Sequence, residues 1–179
     1  MNSPPKIFFT ERLLLRQPEI EDASAIYEEY ARDTDVTKYL TWDAHASVKE
    51  TEKFLLRCKR VWQEATSFPW TILRKTDHQI IGMIEVSFEQ TGAILGFVLG
   101  KNFWGNEYMS EAIKVIISWC MSQEDLYRVW AFCDCENLAS ARAMEKAGMQ
   151  KEGVLRKWLV LPQLDEIPRD CLSYSFIKE

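Results

Sequence analysis

Ala93-Ile-Leu-Gly-Phe-Val-Leu-Gly-Lys-Asn-Phe-Trp-Gly-Asn-Glu-Tyr-Met-Ser-Glu-Ala-Ile-Lys-Val-Ile-Ile-Ser-Trp-Cys120 joins a short apolar run to a helical pattern through a glycine-containing turn. Met109, Ala112, Ile113, Ile116, Ile117 and Cys120 keep the i, i+3, i+4 rhythm of an amphipathic helix, and Ile94 to Leu99 reads as a buried strand. A strand–loop–helix unit of this kind can hold an anion. The first helical amides have no partners inside the helix, and the positive end of the helix dipole lies at the loop. By itself the pattern is weak, because most such loops only connect.

Outward from that unit the chain is rich in regular elements. Leu13 to Pro18 is a first strand stopped by proline, and Ile20, Ala23, Ile26, Tyr27 and Tyr30 share one helical face. Ser47-Val-Lys-Glu50 has the form of a capping box opening a helix whose apolar face is Val48, Phe54, Leu55, Cys58, Val61, Trp62 and Ala65. Pro69 to Arg74, Ile80 to Phe88 and Ala93 to Leu99 make an antiparallel meander. Arg128 to Cys133 is a further strand, and Asn137 caps a helix from Leu138 to Ala147 that Gly148 ends. Val154 to Leu161 and Cys171 to Ile177 complete an α/β (α+β) domain: a mixed, mostly antiparallel sheet of about seven strands with helices on both faces. One domain is expected over residues 1–179, with residues 1–7 a flexible N-terminus.

Composition sets bounds on function. Hydrophobic residues are 47% of the chain and aromatic ones 12%, ample for a sizeable core. The net charge of −5, without a Lys/Arg run, disfavours nucleic-acid binding and tolerates a cationic amine. Neither a signal peptide nor a membrane span is visible, so a cytoplasmic location is expected. Five cysteines without a CxxC pair read as reduced, mostly buried thiols, and no metal site is expected. A monomer and a homodimer are both open, the latter through a sheet edge or the 47–65 helix.

Three blocks carry a resemblance. Thr10-Glu-Arg-Leu-Leu-Leu-Arg16, Trp104-Gly-Asn-Glu-Tyr-Met-Ser-Glu-Ala112, and Asn137-Leu-Ala-Ser-Ala-Arg-Ala-Met-Glu-Lys-Ala-Gly148 followed by Glu152-Gly-Val-Leu-Arg156 stand in the order and spacing of the GNAT superfamily. The chain most resembles the RimJ/RimL-type N-acetyltransferases, whose named members acetylate N-terminal amines of ribosomal proteins. The resemblance implies a GNAT-like sheet whose central strand pair is splayed. It also implies that Phe97, Val98 and Leu99 lend backbone amides to acetyl-CoA, while Trp104, Gly105, Asn106, Glu107, Tyr108, Met109 and Ser110 hold its diphosphate. Asn137 corresponds to an asparagine that contacts the pantetheine arm, and Ser140 to a residue near the cofactor sulfur. On spacing alone, Asn137 is a helix cap and Ser140 an ordinary first-turn residue.

One departure bears on the cofactor. The family loop reads R/Q-x-x-G-x-G/A, and here Glu107 stands for the second glycine and Met109 for the final Gly/Ala. A carboxylate aimed inward would repel phosphate, whereas one turned outward suits a first helical turn. The outward orientation is the expectation.

Acetyl transfer to an amine needs a held thioester, a polarised carbonyl, a neutral amine and help for the departing thiolate. Glu85 is the candidate base and Ser140 the candidate hydrogen-bonding partner of the sulfur; Tyr39, Trp42 and Trp70 are candidate acceptor-pocket walls. An α-amine, with a pKa of about 8, needs only a modest base, so a peptide or protein N-terminus is the first reading for the acceptor. A small amine such as a polyamine, amino sugar or antibiotic is the second. A non-catalytic acyl-CoA-binding or interaction module is the third, motivated by Glu107 and Met109.

Overall fold

The strand that precedes the anion-site loop lies at the centre of the sheet in the computed structural model, which describes residues 3–90 and 92–178. The strands are β1 (Ile7–Phe9), β2 (Leu13–Arg16), β3 (Phe68–Arg74), β4 (Ile80–Phe88), β5 (Gly92–Leu99), β6 (Arg128–Asp134), β7 (Gln150–Leu161) and β8 (Asp165–Ile177). They form one eight-stranded sheet in the order β1-β2-β3-β4-β5-β6-β8-β7. Every neighbouring pair is antiparallel except β5 with β6, which is parallel.

Helices cover both faces. On one side lie α1, a continuous helical run over residues 20–31, the short α2 (Thr34–Thr37) and α3 (Val48–Gln63); on the other lie α4 (Tyr108–Met121) and α5 (Leu138–Lys146). Met109, Ala112, Ile113, Ile116, Ile117 and Cys120, the residues of the i, i+3, i+4 rhythm, are all buried on α4. They share a core with Leu13 and Leu15 of β2 and Trp70 and Ile72 of β3. A second core on the opposite face joins Ile26 and Tyr30 of α1 to Leu55 and Cys58 of α3 and Met83 of β4. Each fully buried Ile or Leu contributes roughly 1.5–3 kcal/mol relative to exposure. No helix among the described residues is long and apolar enough to cross a membrane.

Three local expectations are corrected. Ile7 already lies in a strand, paired with Arg16, and the Trp70 indole Nε1 donates to the Pro5 carbonyl at 3.0 Å. From Pro5 onward the chain is thus held where a flexible N-terminus was expected over residues 1–7, residues 1 and 2 of which lie outside the described residues, and β1 is the strand beyond the expected seven. At α3 the Ser47 hydroxyl makes no capping bond. Glu50 Oε2 instead accepts from the Ala46 amide at 2.6 Å, one residue further back, so the box is not closed. Ala65 lies past the end of α3, exposed and at a φ of 53°, off the apolar face assigned to it.

Gly82 fixes how closely β4 and β5 approach. A Cβ built there would lie 2.3 Å from the Val98 carbonyl oxygen, a backbone atom that cannot step aside. Gly82→Ala is expected to destabilise the fold by about 1–3 kcal/mol in urea denaturation; an unchanged midpoint would show that this approach is not a constraint.

Candidate active site at the parting strands

Among the described residues three pairs join β5 to β6: Gly92 with Arg128, Ala93 with Val129 and Ile94 with Trp130. Beyond Ile94 the strands part, while β5 stays paired to β4 from Ala93 to Leu99. The Gly100 amide donates to the Ile81 carbonyl at 2.8 Å, so the peptide at 100 faces β4. Peptide direction alternates along a strand. Val98 therefore also faces β4, and Phe97 and Leu99 face the gap. The Trp104 indole, donating to the Leu99 carbonyl at 2.8 Å, lies on that gap side. This corrects the expectation of three free amides: the Val98 amide is directed into the sheet.

The loop after β5 tightens through a single 3₁₀ turn, Lys101–Phe103, and reaches Gly105 at a φ of 79°. Nothing lies within 4 Å of a Cβ built at Gly105, so the loop is open to a ligand there. Asn106 is turned the other way. Its side-chain amide donates to the Phe103 and Trp104 carbonyls, and its own carbonyl accepts from Arg12 Nη1 at 3.0 Å. Arg12 is in turn held by Glu111 at 2.7 Å and stacks over the Tyr108 ring. Asn106 thus shapes the loop from behind and lines neither of the cavities described below.

Glu107, the N-cap of α4, sits in the left-handed region at a φ of 62°, where glycine is the unstrained residue. Its carboxylate is exposed and ion-paired with the Lys146 ammonium at the end of α5. Lys146 holds the Glu107 carboxyl below the usual carboxylate range. Met109, at the final Gly/Ala position of the loop pattern, is 5% exposed and belongs to the core.

Two cavities meet at the gap. The first, about 540 Å³, is lined by Phe97, Val98 and Leu99, by Trp104, Gly105, Glu107, Tyr108, Met109 and Ser110, and by α5 residues including Arg142 and Lys146. The second, about 340 Å³, lies between β4, β5, β6 and the helices of the other face; Glu85, Trp42, His45, Phe54 and Arg57 line it. Tyr39, Leu40, Phe97, Val98, Asn137 and Ser140 line both. Such volumes lie at the scale of small-molecule sites. Trp70 lines neither, being fully buried beneath Phe8 and Trp62, which corrects its assignment to a pocket wall.

Asn137 Oδ1 accepts from the Ser140 amide at 3.1 Å, so the expected cap forms and turns the start of α5 toward the gap. The turn before it is held by Asp134, whose carbonyl accepts from the Asn137 amide and whose carboxylate binds the Glu136 amide and Arg169. Burial works against the charge on Asp134, but the Arg169 guanidinium and the Glu136 amide keep its carboxyl below the ordinary range. Cys133, beside Ser140, is buried, and burial pushes its thiol up to about 12. Asp134 and Lys146 were not singled out from sequence. Their roles depend on Arg169 and Glu107, which lie 35 and 39 residues away along the chain.

In the second cavity Glu85 is half-buried and accepts from the Ser67 hydroxyl, which itself accepts from Ser87 Oγ at 2.9 Å. Asp134, the other carboxylate lining this cavity, is ion-paired to Arg169, so Glu85 is the one acid there without an ion pair among the described residues. His45 stacks between Trp42 and Phe54, its Nδ1 lies 2.8 Å from the Thr51 hydroxyl, and burial holds its imidazole below the usual value. Among the described residues no group of three or more His, Cys, Asp or Glu is disposed to hold a metal ion.

Residues 12–150 match the family model described as an acetyltransferase (GNAT) domain. The chain is 31% identical over 175 residues to the uncharacterized N-acetyltransferase YoaA of Bacillus subtilis, covering 96% of this chain and 97% of that one. Its fold is similar to that of the microcin C7 self-immunity acetyltransferase MccE, solved with acetyl-CoA and AMP (TM-score 0.85, 21% identity, 94% and 93% of the two chains). It is also similar to RimL, a ribosomal L7/L12 alpha-N-protein acetyltransferase solved with coenzyme A (TM-score 0.84, 19% identity, 96% and 98%).

The backbone at residue 107 makes its own prediction. Glu107→Gly and Glu107→Ala both lose the pair with Lys146, but only glycine accepts the left-handed conformation without strain. Glu107→Gly is expected to melt roughly 2–4 °C above Glu107→Ala by circular dichroism; equal melting temperatures would mean that the loop relaxes out of that conformation.

Proposed function

Because the chain belongs to the GNAT acetyltransferase family, we propose that this acetyl-CoA-dependent N-acetyltransferase acts on the α-amine of a peptide or protein N-terminus. Acetyl-CoA supplies the activated acetyl thioester. The residues fit it: an open glycine turn at Gly105, the free amides at the start of α4, and backbone amides on β5 that lack a neighbouring strand. In this reading Phe97 and Leu99 donate to the pantetheine arm and the thioester carbonyl, and Gly105 with the backbone from Glu107 to Ser110 holds the diphosphate. Asn137 and Ser140 line both cavities where they join, which in this reading sets them beside the reacting sulfur.

The observation that carries the acceptor reading is the charge of the second cavity. Among the described residues it offers one carboxylate without an ion pair, Glu85, together with a cation, Arg57, amid aromatic side chains. A polyamine or an aminoglycoside, with several positive charges, finds one anion and one repelling guanidinium. A single α-ammonium followed by peptide groups suits that arrangement better. Glu85 Oε1 is engaged by Ser67, which orients the carboxylate for proton removal from the amine directly or through a water. The Ser140 hydroxyl donates to the departing sulfur, and Tyr39 and Trp42 wall the acceptor. The fold-level likeness to RimL, which is named for acetylating a protein α-amine, agrees with this reading.

A small acceptor of single positive charge is the second reading. It is favoured by Gln163, whose side-chain amide donates to Asp43 Oδ1 at 2.8 Å and so ties the β7–β8 turn to the loop that carries Trp42. MccE, named as the microcin C7 self-immunity acetyltransferase, shares the fold.

Steady-state assays with short peptides, polyamines and amino sugars test the proposal. Peptides with a free α-amine should give the highest kcat/KM, rising with pH toward about 8 as the amine deprotonates. Glu85→Gln should lower kcat by roughly 10²–10⁴-fold while leaving the KM for acetyl-CoA near wild type. Faster turnover of polyamines than of any peptide, or full activity in Glu85→Gln, would overturn the assignment.

A further inference from the structure

The first cavity has little free positive charge for a polyanionic ligand. Three acids line it, and each is ion-paired: Asp35 with Lys101, Glu136 with Arg169 and Glu107 with Lys146. Its basic lining residues are Arg142 and Lys146. Of these, Lys146 is held by the very loop that would cradle the diphosphate, because Glu107 is the N-cap of α4. Both side chains are more than half exposed, so neither is locked by its surroundings. The pair also sits on a left-handed backbone at residue 107, where a carboxylate stands although glycine would be unstrained.

We infer that Glu107 is a built-in competitor for the cofactor phosphates: it holds Lys146 in the empty enzyme, and binding transfers the ammonium from the carboxylate to a phosphate of acetyl-CoA. This rests on the placement of acetyl-CoA in the first cavity. The exchange is an ion-pair swap in which no covalent bond changes. Its consequence is a cofactor affinity set below what the loop could reach, for the acetylated donor and for product CoA alike. Glu107 thereby sets how readily product CoA leaves. An ordinary surface ion pair between two helices would have no such effect on the ligand.

Calorimetric titration with acetyl-CoA of the wild type, Glu107→Gln, Lys146→Met, the double variant and Ala139→Trp tests this. Glutamine keeps the size and backbone of residue 107 and removes only the charge. Glu107→Gln should tighten binding about two- to five-fold, the scale of an exposed ion pair. Lys146→Met should weaken it roughly tenfold, as for a lost charge-assisted bond. In the Lys146→Met background, removing the Glu107 charge should change the Kd by less than about 1.5-fold. Equal tightening in both backgrounds would mean that Glu107 acts by simple repulsion, and unchanged binding in Glu107→Gln or Lys146→Met would leave the pair purely structural; either result overturns the inference. Ala139, an exposed residue lining the same cavity on α5, tests the underlying placement. If Ala139→Trp binds acetyl-CoA as the wild type does, the cofactor lies elsewhere, and the placement and the inference fall together.

Discussion

The parallel contact between β5 and β6 ends after three residue pairs, and the rest of the site follows from that parting. A sheet interior normally satisfies its peptide groups through neighbouring strands, and leaving a row of them unpaired is costly when they are buried. Here the row opens onto two cavities that meet at Phe97 and Val98. One cavity leads back to the amino end of α4; the other leads to Glu85 on the adjacent strand. A ligand lying in the gap would take the place of the missing strand. The antiparallel pairing of β4 with β5 on the other side anchors β5, and Gly82 permits the close approach of the two strands.

How much of this was legible in the sequence depends on the range of the forces involved. The apolar stripe of α4 and the Asn137 cap are set by neighbours three or four residues away, and both appear as expected. The meander of β3, β4 and β5 follows from three apolar runs separated by short turns. The short β1 was missed because three residues carry no periodicity, and its pairing with β2 only becomes visible in three dimensions. Ser47 and Glu50 have the spacing of a capping box, but spacing does not say which amide the carboxylate will choose, and Ala46 wins. Trp70 is as suited to a core as to a pocket wall, and the Pro5 carbonyl that takes its indole proton lies 65 residues away along the chain.

The candidate site shows the same division. The loop from Gly105 to Ser110 could be marked out by its motif, and Glu107 stood out as the departure from it. That Glu107 would be answered by Lys146 was not visible, since the two lie on different helices. Asn106 fits the loop pattern, yet its side chain serves the loop itself. Asp134 is a similar case: a buried acid at the end of β6 whose partner, Arg169, comes from β8, and whose function is to hold the turn that presents Asn137. Charge pairs of this kind set which anions and cations remain available to a ligand, and they are the part of the site that spacing reveals least.

The central claim is that β5 meets acetyl-CoA through alternate peptide groups, and amide hydrogen exchange followed by nuclear magnetic resonance reads it residue by residue. The Phe97 and Leu99 amides should exchange quickly in the free protein and become protected when acetyl-CoA is added. The Val98 amide, directed to β4, should be protected in both states. Protection of Val98 that appears only with the ligand, or Phe97 and Leu99 amides that do not respond to it, would contradict the account.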